Sequence, residues 1–541
     1  MNKLSYLFLA IIIFLAAFLR LYHIKDKCFF LTDEAANSRE AIFVKDIFNH
    51  TIKSFSLKNI TNKERVDYIS NNLGGLPLTN PKPGHVVLIA LFGSFTNGIK
   101  DYTSSLMSAV FGLATVILIF FLGKSLYSPK VGILSAFLLS ISGYHLLYSR
   151  EGFGEINTLF FFVLANIFYI QSIKNKYFSI WYLGLSGLFT GIAYSCHYRW
   201  ILMPFFFYVY ELYFFYRKKP HFTLENIRRF TTLSLTMLLP FAIYESFYHL
   251  LLIIYRKSNI VFPFRTYIEL LYDNIFRFGS SVAFNIQDFI AYPFYLFKLE
   301  GIVICILLLY GIYKLIRNYT SFNFIIFFQF FVSLIFFGLY SADFPRFFVI
   351  ALPSIFLIIS KALDDYIKPK NIVFIVILVL ICIFSLPNIN NTLNLNSGLR
   401  KAFNYLSRQG VTKHITTHEQ VSFFYVKDPN LVRDIRNIES YTSLKNLYNQ
   451  DYRYLLVDVQ KYITKFPHFP FKKSPLLIEI ESRAKPIFTI KENRGLHFQF
   501  WFEHCIVSFL NTLNFFKNID KKDISEVRIY DLKDFFRSQN L

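Results

Sequence analysis

The sequence predicts a polytopic α-helical membrane protein of about 11 transmembrane helices with a small α/β domain at its C-terminal end. Three observations carry this. Of 541 residues 54% are hydrophobic and 20% aromatic, eleven apolar runs approach the length of a bilayer core, and Lys and Arg collect in every second loop between those runs. The same figures exclude a disordered chain, since only 17% of residues are charged. The formal net charge of +22 does not point to nucleic acid, because the basic residues are dispersed between apolar segments. Five cysteines, Cys28, Cys196, Cys305, Cys382 and Cys505, form no C-x-x-C pair, which argues against a zinc ribbon and a disulfide framework.

A hydrocarbon core about 30 Å thick needs roughly 20 residues of helix. Segments near that length run at Leu4–Tyr22, Ser104–Leu122, Val131–Tyr148, Asn157–Ile173, Phe178–Cys196, Trp200–Tyr216, Phe230–Tyr255, Gly301–Ile316, Phe322–Tyr340, Phe347–Leu363 and Ile372–Leu386. The first run, with Lys3 before it, has the opening of a signal peptide. Arg20 and bulky neighbours replace the small-residue cleavage site, so it reads as a retained helix. With the N-terminus inside, the basic loops around Lys124 and Lys130, Lys174 and Lys176, Arg217 to Arg229, Lys314 and Arg317, and Lys361 to Lys370 all become cytoplasmic. The long loops 23–103 and 256–300, and everything after about Asn388, then lie on the outer face. Gly84–Phe95 is apolar but too short to span and reads as an interfacial or re-entrant helix. The expected organisation is a transmembrane module over residues 1–392 and a soluble extracytoplasmic α/β domain over residues 393–541. In the latter, β-like runs at His414–Thr417, Val421–Val426, Tyr454–Val459, Ile487–Ile490 and Val527–Tyr530 alternate with helix-like stretches such as Gly398–Ser407.

Ionisable groups at an apolar boundary carry a cost that a purpose must offset. Four clusters qualify. Thr32-Asp33-Glu34 follows the first span, where Asp33 is either a helix cap or an acid facing substrate. Asn80-Pro81-Lys82-Pro83-Gly84-His85 holds one cation between two prolines, suited to a phosphate oxygen or to lipid head groups. Tyr148-Ser149-Arg150-Glu151-Gly152-Phe153-Gly154-Glu155 and Phe344-Pro345-Arg346-Phe347 each present a guanidinium, which clamps a phosphate bidentately or serves as a snorkelling anchor. Arg150 could also pair with Glu151 or Glu155. His197 and Arg199 form a weaker set of the same kind. An acid beside several cations suits transfer from a phosphate-linked lipid donor: the carboxylate deprotonates an acceptor hydroxyl while the cations stabilise the departing phosphate.

These motifs, in this order, resemble the membrane glycosyltransferases of the GT-C fold, in the branch of the protein O-mannosyltransferases and the lipid A aminoarabinose transferases. The resemblance spans most of residues 1–390. It rests on the Asp-Glu pair, on Lys82-Pro83, on the string GKSLYSPKVGILSAFLLSISGYHLLYSREG and on FPRFFVIALP. It implies a polyprenyl-phosphate sugar as donor, a hydroxyl on a glycan, lipid or protein as acceptor, and inversion at the anomeric carbon. It further implies action at the extracytoplasmic side of a bacterial plasma membrane. Residue by residue, it implies that Asp33, with Glu34 beside it, is the catalytic acidic position, and that Lys82, Arg150 and Arg346 bind the donor phosphate. His85, Glu151, His197 and Arg199 are candidates for substrate binding. A divalent metal ion is the cofactor left open, although Pro81 replaces a Glu often found there in the aminoarabinose branch. The absence of a His-Pro-Pro-Leu string and of a long inserted β-rich outer domain argues against a true protein O-mannosyltransferase. The rival from another class is a transporter or flippase of lipid-linked sugars, for which Glu211, Glu245 and Asp343 speak; a structural membrane subunit would leave the Asp33 cluster without a role.

Overall fold

Long apolar runs with few internal breakers make helices, and helices dominate the chain. A computed structural model describes residues 3–29, 32–57, 61–75, 78–175, 177, 179–200, 202–218, 223–257, 265–274, 286–339, 345–366, 372–426, 428–459, 474–491 and 526–537. The helices are α1 (Lys3–Leu21), α2 (Thr32–Ser56), α3 (Asn62–Asn71), α4 (Pro83–Phe95), α5 (Thr103–Leu126), α6 (Pro129–Ile141), α7 (Gly143–Ser149) and α8 (Gly154–Lys174). They continue with α9 (Ser179–Cys196), α10 (Leu202–Lys218), α11 (Leu224–Lys257), α12 (Tyr267–Tyr272), α13 (Ile286–Arg317), α14 (Ser321–Leu339), α15 (Leu352–Tyr366) and α16 (Ile372–Leu393).

Every predicted span overlaps one of these helices. Among the described residues eight helices are long and apolar enough to cross a membrane, or nine if α6 and α7, bent by 63°, are one broken span. The other two, α9 and α10, form without meeting that measure: α9 interleaves Ser, Thr and Gly with its apolar residues, and α10 is 17 residues long. The segment expected to be too short is α4, a 13-residue helix.

A break in a helix inside an apolar bundle leaves backbone groups that must find partners in the protein. The Ser142 hydroxyl at the α6–α7 bend accepts from the backbone N–H of His145 and donates to Glu300 Oε1 at 2.5 Å. The same Glu300 oxygen accepts from the Tyr144 N–H at 2.9 Å. Glu300 precedes Gly301, where α13 itself breaks at φ +84°, and Asn388 from α16 donates to the carbonyls of Lys298 and Leu299 there. Two broken helices thus satisfy each other, and α7 is set at the angle that carries residues 150–155.

The C-terminal region contains α17 (Leu399–Arg408), β1 (His414–Thr416), α18 (Glu419–Val426), β2 (Val432–Asp434), α19 (Tyr441–Asn449), β3 (Tyr454–Asp458), α20 (Pro475–Arg483), β4 (Pro486–Lys491), β5 (Glu526–Asp531) and α21 (Leu532–Arg537). The strands form one sheet in the order β2-β1-β3-β5-β4, with β1 parallel to β2 and β3, and β5 antiparallel to β3 and β4. Val421–Val426, expected as a strand, is helix α18. Its aromatic residues pack on an element distant in sequence, Phe424 edge-on against Phe29 at 4.7 Å and Phe423 under the Arg39 guanidinium at 4.8 Å, and that packing overrides the local β preference.

One hydrophobic cluster joins the two parts of the chain. Cys28, Phe29 and Ala35 are buried together with Leu399, Ala402, Phe403, Leu406, Val421, Leu456, Ile490, Val527 and Ile529. The Asp101 carboxylate accepts from Arg400 Nε and Nη2, both at 2.6 Å, and from the Tyr425 hydroxyl. The start of α2 is therefore packed into the face of the sheet. Leu456, fully buried, is a direct test: Leu456→Ala should cost about 2–5 kcal/mol, read as a lower Tm of the purified protein, and an unchanged Tm would show that this contact is loosely packed.

Candidate active site

The loop after α7 is where the separate elements meet. The last carbonyls of α1 have no intrahelical donors and sit at the negative end of the helix dipole. Arg150 supplies both needs: its Nη1 donates to the carbonyls of Leu19, Arg20 and Tyr22 at 3.1, 3.1 and 2.8 Å. The side chain is buried, and burial lowers its pKa to about 10, which still leaves it charged at neutral pH. The guanidinium expected on the donor phosphate caps α1 instead. Lys27 donates to the Arg150 carbonyl.

Glu34 does not stand beside Asp33 facing the same space. It is fully buried, accepts from the Gly152 N–H at 2.6 Å and lies 3.9 Å from Lys27 Nζ. Gly152 is required for this approach, because a Cβ there would stand 2.2 Å from Ser104 Oγ. His85 braces the same residue from the other side. Its Nε2 donates to the Gly152 carbonyl at 3.1 Å and its Nδ1 accepts from Asn157 at 3.0 Å, which fixes the neutral tautomer. Burial, helped by Lys82, pushes the His85 pKa down to about 3. Glu151 is buried as well, and burial raises its pKa to about 8. Of the candidates from sequence, Arg150, Glu34, His85 and Glu151 are thus enclosed and support the loop.

The others converge. Asp33, in the first turn of α2, has a side chain 53% exposed, and its Oδ2 lies 3.5 Å from Arg346 Nη2. Arg346, largely buried, reaches Glu155 with its Nε at 3.1 Å and lies 4.5 Å over the Phe153 ring. Glu155, fully buried in the first turn of α8, also faces His197 Nε2 at 3.3 Å. Lys82 stands at the N-cap position of α4; burial lowers its pKa, while Asp33 and Glu155 favour its charged form and Arg346 and Arg199 oppose it, so it lies within electrostatic range of these four groups. Arg199 lies 4.8 Å over the Phe347 ring and donates from Nε to the Tyr198 hydroxyl at 3.1 Å. Burial, with Lys82 and Arg199 adding repulsion, holds His197 neutral with a pKa near 3, against the pull of Glu155.

Sequence reasoning missed Glu155 as the centre of this cluster, treating it as a partner for Arg150. The signal was present: it is the acid in the first turn of an otherwise apolar helix. Cations fill the space between Asp33 and Glu155, and among the described residues no group of three His, Cys, Asp or Glu is placed to hold a metal. A cavity of about 610 Å³ lined by Trp181, Gly184, Arg228 and Thr232 lies at the end of α9 opposite His197, away from this cluster.

Residues 80–244, which include Lys82, the 150–155 loop and His197, match the family of dolichyl-phosphate-mannose-protein mannosyltransferases. No curated protein sequence matches the chain. Among solved structures, ArnT of Cupriavidus metallidurans bound to undecaprenyl phosphate is similar with a TM-score of 0.54 at 11% identity, over 89% of this chain and 96% of that one. The oligosaccharyltransferase of Archaeoglobus fulgidus in complex with Zn and sulfate is similar with a TM-score of 0.55 at 10% identity, over 84% and 68%. The archaeal oligosaccharyltransferase AglB from Archaeoglobus fulgidus, in complex with an inhibitory peptide and a dolichol-phosphate, gives 0.51 at 10% identity, over 85% and 70%. The chain thus shares the GT-C fold of these membrane proteins, and within it residues 80–244 carry the likeness to the mannosyltransferase family.

Proposed function

We propose that the enzyme moves a sugar from a polyprenyl-phosphate carrier to a hydroxyl of a glycan, lipid or protein, with inversion at the anomeric carbon and Asp33 as general base. The observation that carries this reading is the pairing of Arg346 with both Asp33 and buried Glu155, with Lys82 within electrostatic range of all three. In the reaction the Asp33 carboxylate takes the acceptor's hydroxyl proton. The oxygen bonds to the anomeric carbon as the bond from that carbon to the phosphate oxygen breaks, and its electron pair leaves with the carrier phosphate. Lys82 and Arg346 stabilise the charge that grows there. An apolar cavity of about 280 Å³ is lined by Tyr194, Tyr198, Tyr208, Met237, Phe241 and Leu271, with Tyr198 accepting from Arg199, and it suits the first units of the carrier chain. The basic inner loops favour a reaction on the extracytoplasmic side of a plasma membrane, with residues 393–541 as a domain on that side.

The transporter reading loses its footing. Glu211 is held by Arg229 through two contacts of 2.7 Å, and Glu245 by His249 and the Ile268 N–H. Asp343 lies outside the described residues.

Asp33→Asn should lower transfer by about 10²- to 10⁴-fold with an unchanged Tm, since the side chain is half exposed; sugar release from a synthetic polyprenyl-phosphate donor measures it, and normal turnover would reject the base. Lys82→Ala should weaken binding of undecaprenyl phosphate by roughly tenfold or more. Arg150→Ala should leave that affinity within about twofold while lowering Tm, because three helix-end carbonyls lose their donor; the opposite pattern would return Arg150 to the phosphate.

The contribution of His85 to the pH dependence of stability has a fixed sign. His85 has a folded pKa near 3 against about 6.5 unfolded, so as pH falls the unfolded chain takes up its proton first. Stability present above about pH 6.5 is then lost towards pH 3 at roughly 1.4 kcal/mol per unit for this group. Between pH 7.5 and 5 the Tm of the parent should fall relative to that of His85→Gln, a comparison that cancels the opposite contribution of the raised Glu151 and Glu40 carboxyls; a difference that instead grows in the parent's favour would mean that His85 is charged in the fold.

A further inference from the structure

Helix α2 carries Asp33 in its first turn and, seven residues or two turns later, Glu40 along the same face. Glu40 is fully buried, and its Oε1 accepts four hydrogen bonds from two consecutive residues. They come from the Thr79 N–H at 2.9 Å, the Thr79 hydroxyl at 2.6 Å, the Asn80 N–H at 3.2 Å and Asn80 Nδ2 at 3.2 Å. The Asn80 carbonyl accepts in turn from the Lys82 N–H at 2.8 Å, and the Lys82 carbonyl accepts from the Val86 N–H inside α4. A continuous set of hydrogen bonds therefore leads from α2 to the residue that presents the Lys82 ammonium.

Two further contacts fasten the same loop to the same helix. Asp46 Oδ2 accepts from the Gly74 N–H at 3.0 Å. Gly75, at φ +80°, lies against the backbone of Arg39 so closely that a Cβ would stand 2.2 Å from the Arg39 carbonyl oxygen. The loop before Lys82 thus follows α2 at Arg39, Glu40 and Asp46. Burying a carboxylate is costly unless it is fully engaged, and folding α2 alone gives no reason to place one here. Burial raises the Glu40 pKa to about 7, and the Thr79 and Asn80 hydrogen bonds and then the Lys82 charge oppose that rise, so Lys82 lies within its electrostatic reach.

We infer that Glu40 is a positioning residue: by clasping Thr79 and Asn80 it makes helix α2 the spacer that fixes Lys82 relative to Asp33. This rests on the reading of Lys82 as a ligand of the carrier phosphate. The test is affinity for undecaprenyl phosphate, measured with the full-length protein in nanodiscs alongside its Tm. Glu40→Gln keeps an oxygen for all four donors and should stay within about threefold of the parent, whereas Glu40→Ala should weaken binding by roughly tenfold. In a Lys82→Ala background Glu40→Ala should add less than about twofold, because no ammonium is left to place. A residue that merely supports the fold would lower Tm and affect binding equally in both backgrounds. If Lys82→Ala weakens binding but Glu40→Ala does not, or if the two effects add, the spacer role is overturned and the phosphate role of Lys82 stands. If the parent does not bind the probe, or Lys82→Ala binds as the parent does, the phosphate reading fails and the spacer role fails with it. Should Glu40→Ala not fold, Thr79→Val removes one of the four donors; its expected shift of about threefold must vanish in the Lys82→Ala background, and persistence there counts against the inference.

Discussion

The burial of the Glu155 carboxylate is the constraint from which the arrangement of the site follows. A charge removed from water must be matched by partners that stay in place, and taking away one partner is far more costly than never having buried the pair. Its partners come from segments distant in the chain: Arg346 from the turn that leads into α15, and His197 from the turn between α9 and α10. The positive end of α8 lies under the same carboxylate. One acid at a helix N-terminus therefore gathers two turns that the sequence separates by about 150 residues. Phe153, two residues before it, gives the Arg346 guanidinium an aromatic face, so the cation is oriented as well as neutralised.

The acid on the other side of the site is held differently. Asp33 is half exposed, and its side chain reaches Arg346 at 3.5 Å, which by itself is a weak hold on α2. The fixing comes from apolar burial of Cys28, Phe29 and Ala35 in the face of the C-terminal sheet, from Glu34 on the Gly152 N–H, and from Arg39, which donates to Gln420 at 2.8 Å. The ion pair of Asp101 and Arg400 ties α17 to the segment before α5. The C-terminal region thus packs directly on the helix that carries Asp33, so a loss of packing there reaches the acid within one turn of helix.

How much of this the sequence made legible follows from the kind of interaction involved. Helix positions were readable because apolar length and periodicity act locally, and the C-terminal strands β1, β3, β4 and β5 were readable for the same reason. The strand expected at Val421–Val426 failed because an aromatic run has no preferred partner until the tertiary contacts with Phe29 and with Arg39 of α2 supply one. At the site, Asp33, Lys82 and Arg346 could be read as groups at an apolar boundary, and the structure does bring them together. Arg150 looked equivalent to Arg346 in sequence. The difference is that the open carbonyls of α1 lie within reach of one guanidinium and a buried carboxylate within reach of the other, which no local pattern encodes. Glu40 was silent for a related reason, since a lone acid on a polar helix face looks solvated until the Thr79–Asn80 turn is laid against it.

The charges left facing one another bear on the proposed chemistry. Lys82 lies within electrostatic range of Asp33, Glu155, Arg199 and Arg346, and Arg346 pairs with both acids. In the proposed reaction the carrier phosphate gains a negative charge as transfer proceeds, and Asp33 loses its own by taking the acceptor's proton. The two changes offset one another, so the step leaves the net charge of protein and carrier phosphate together unchanged. On this argument the general base and the phosphate ligands act as a single electrostatic unit. The rigid spacing between them, set by α2 on one side and Glu155 on the other, then matters to the rate as well as to binding.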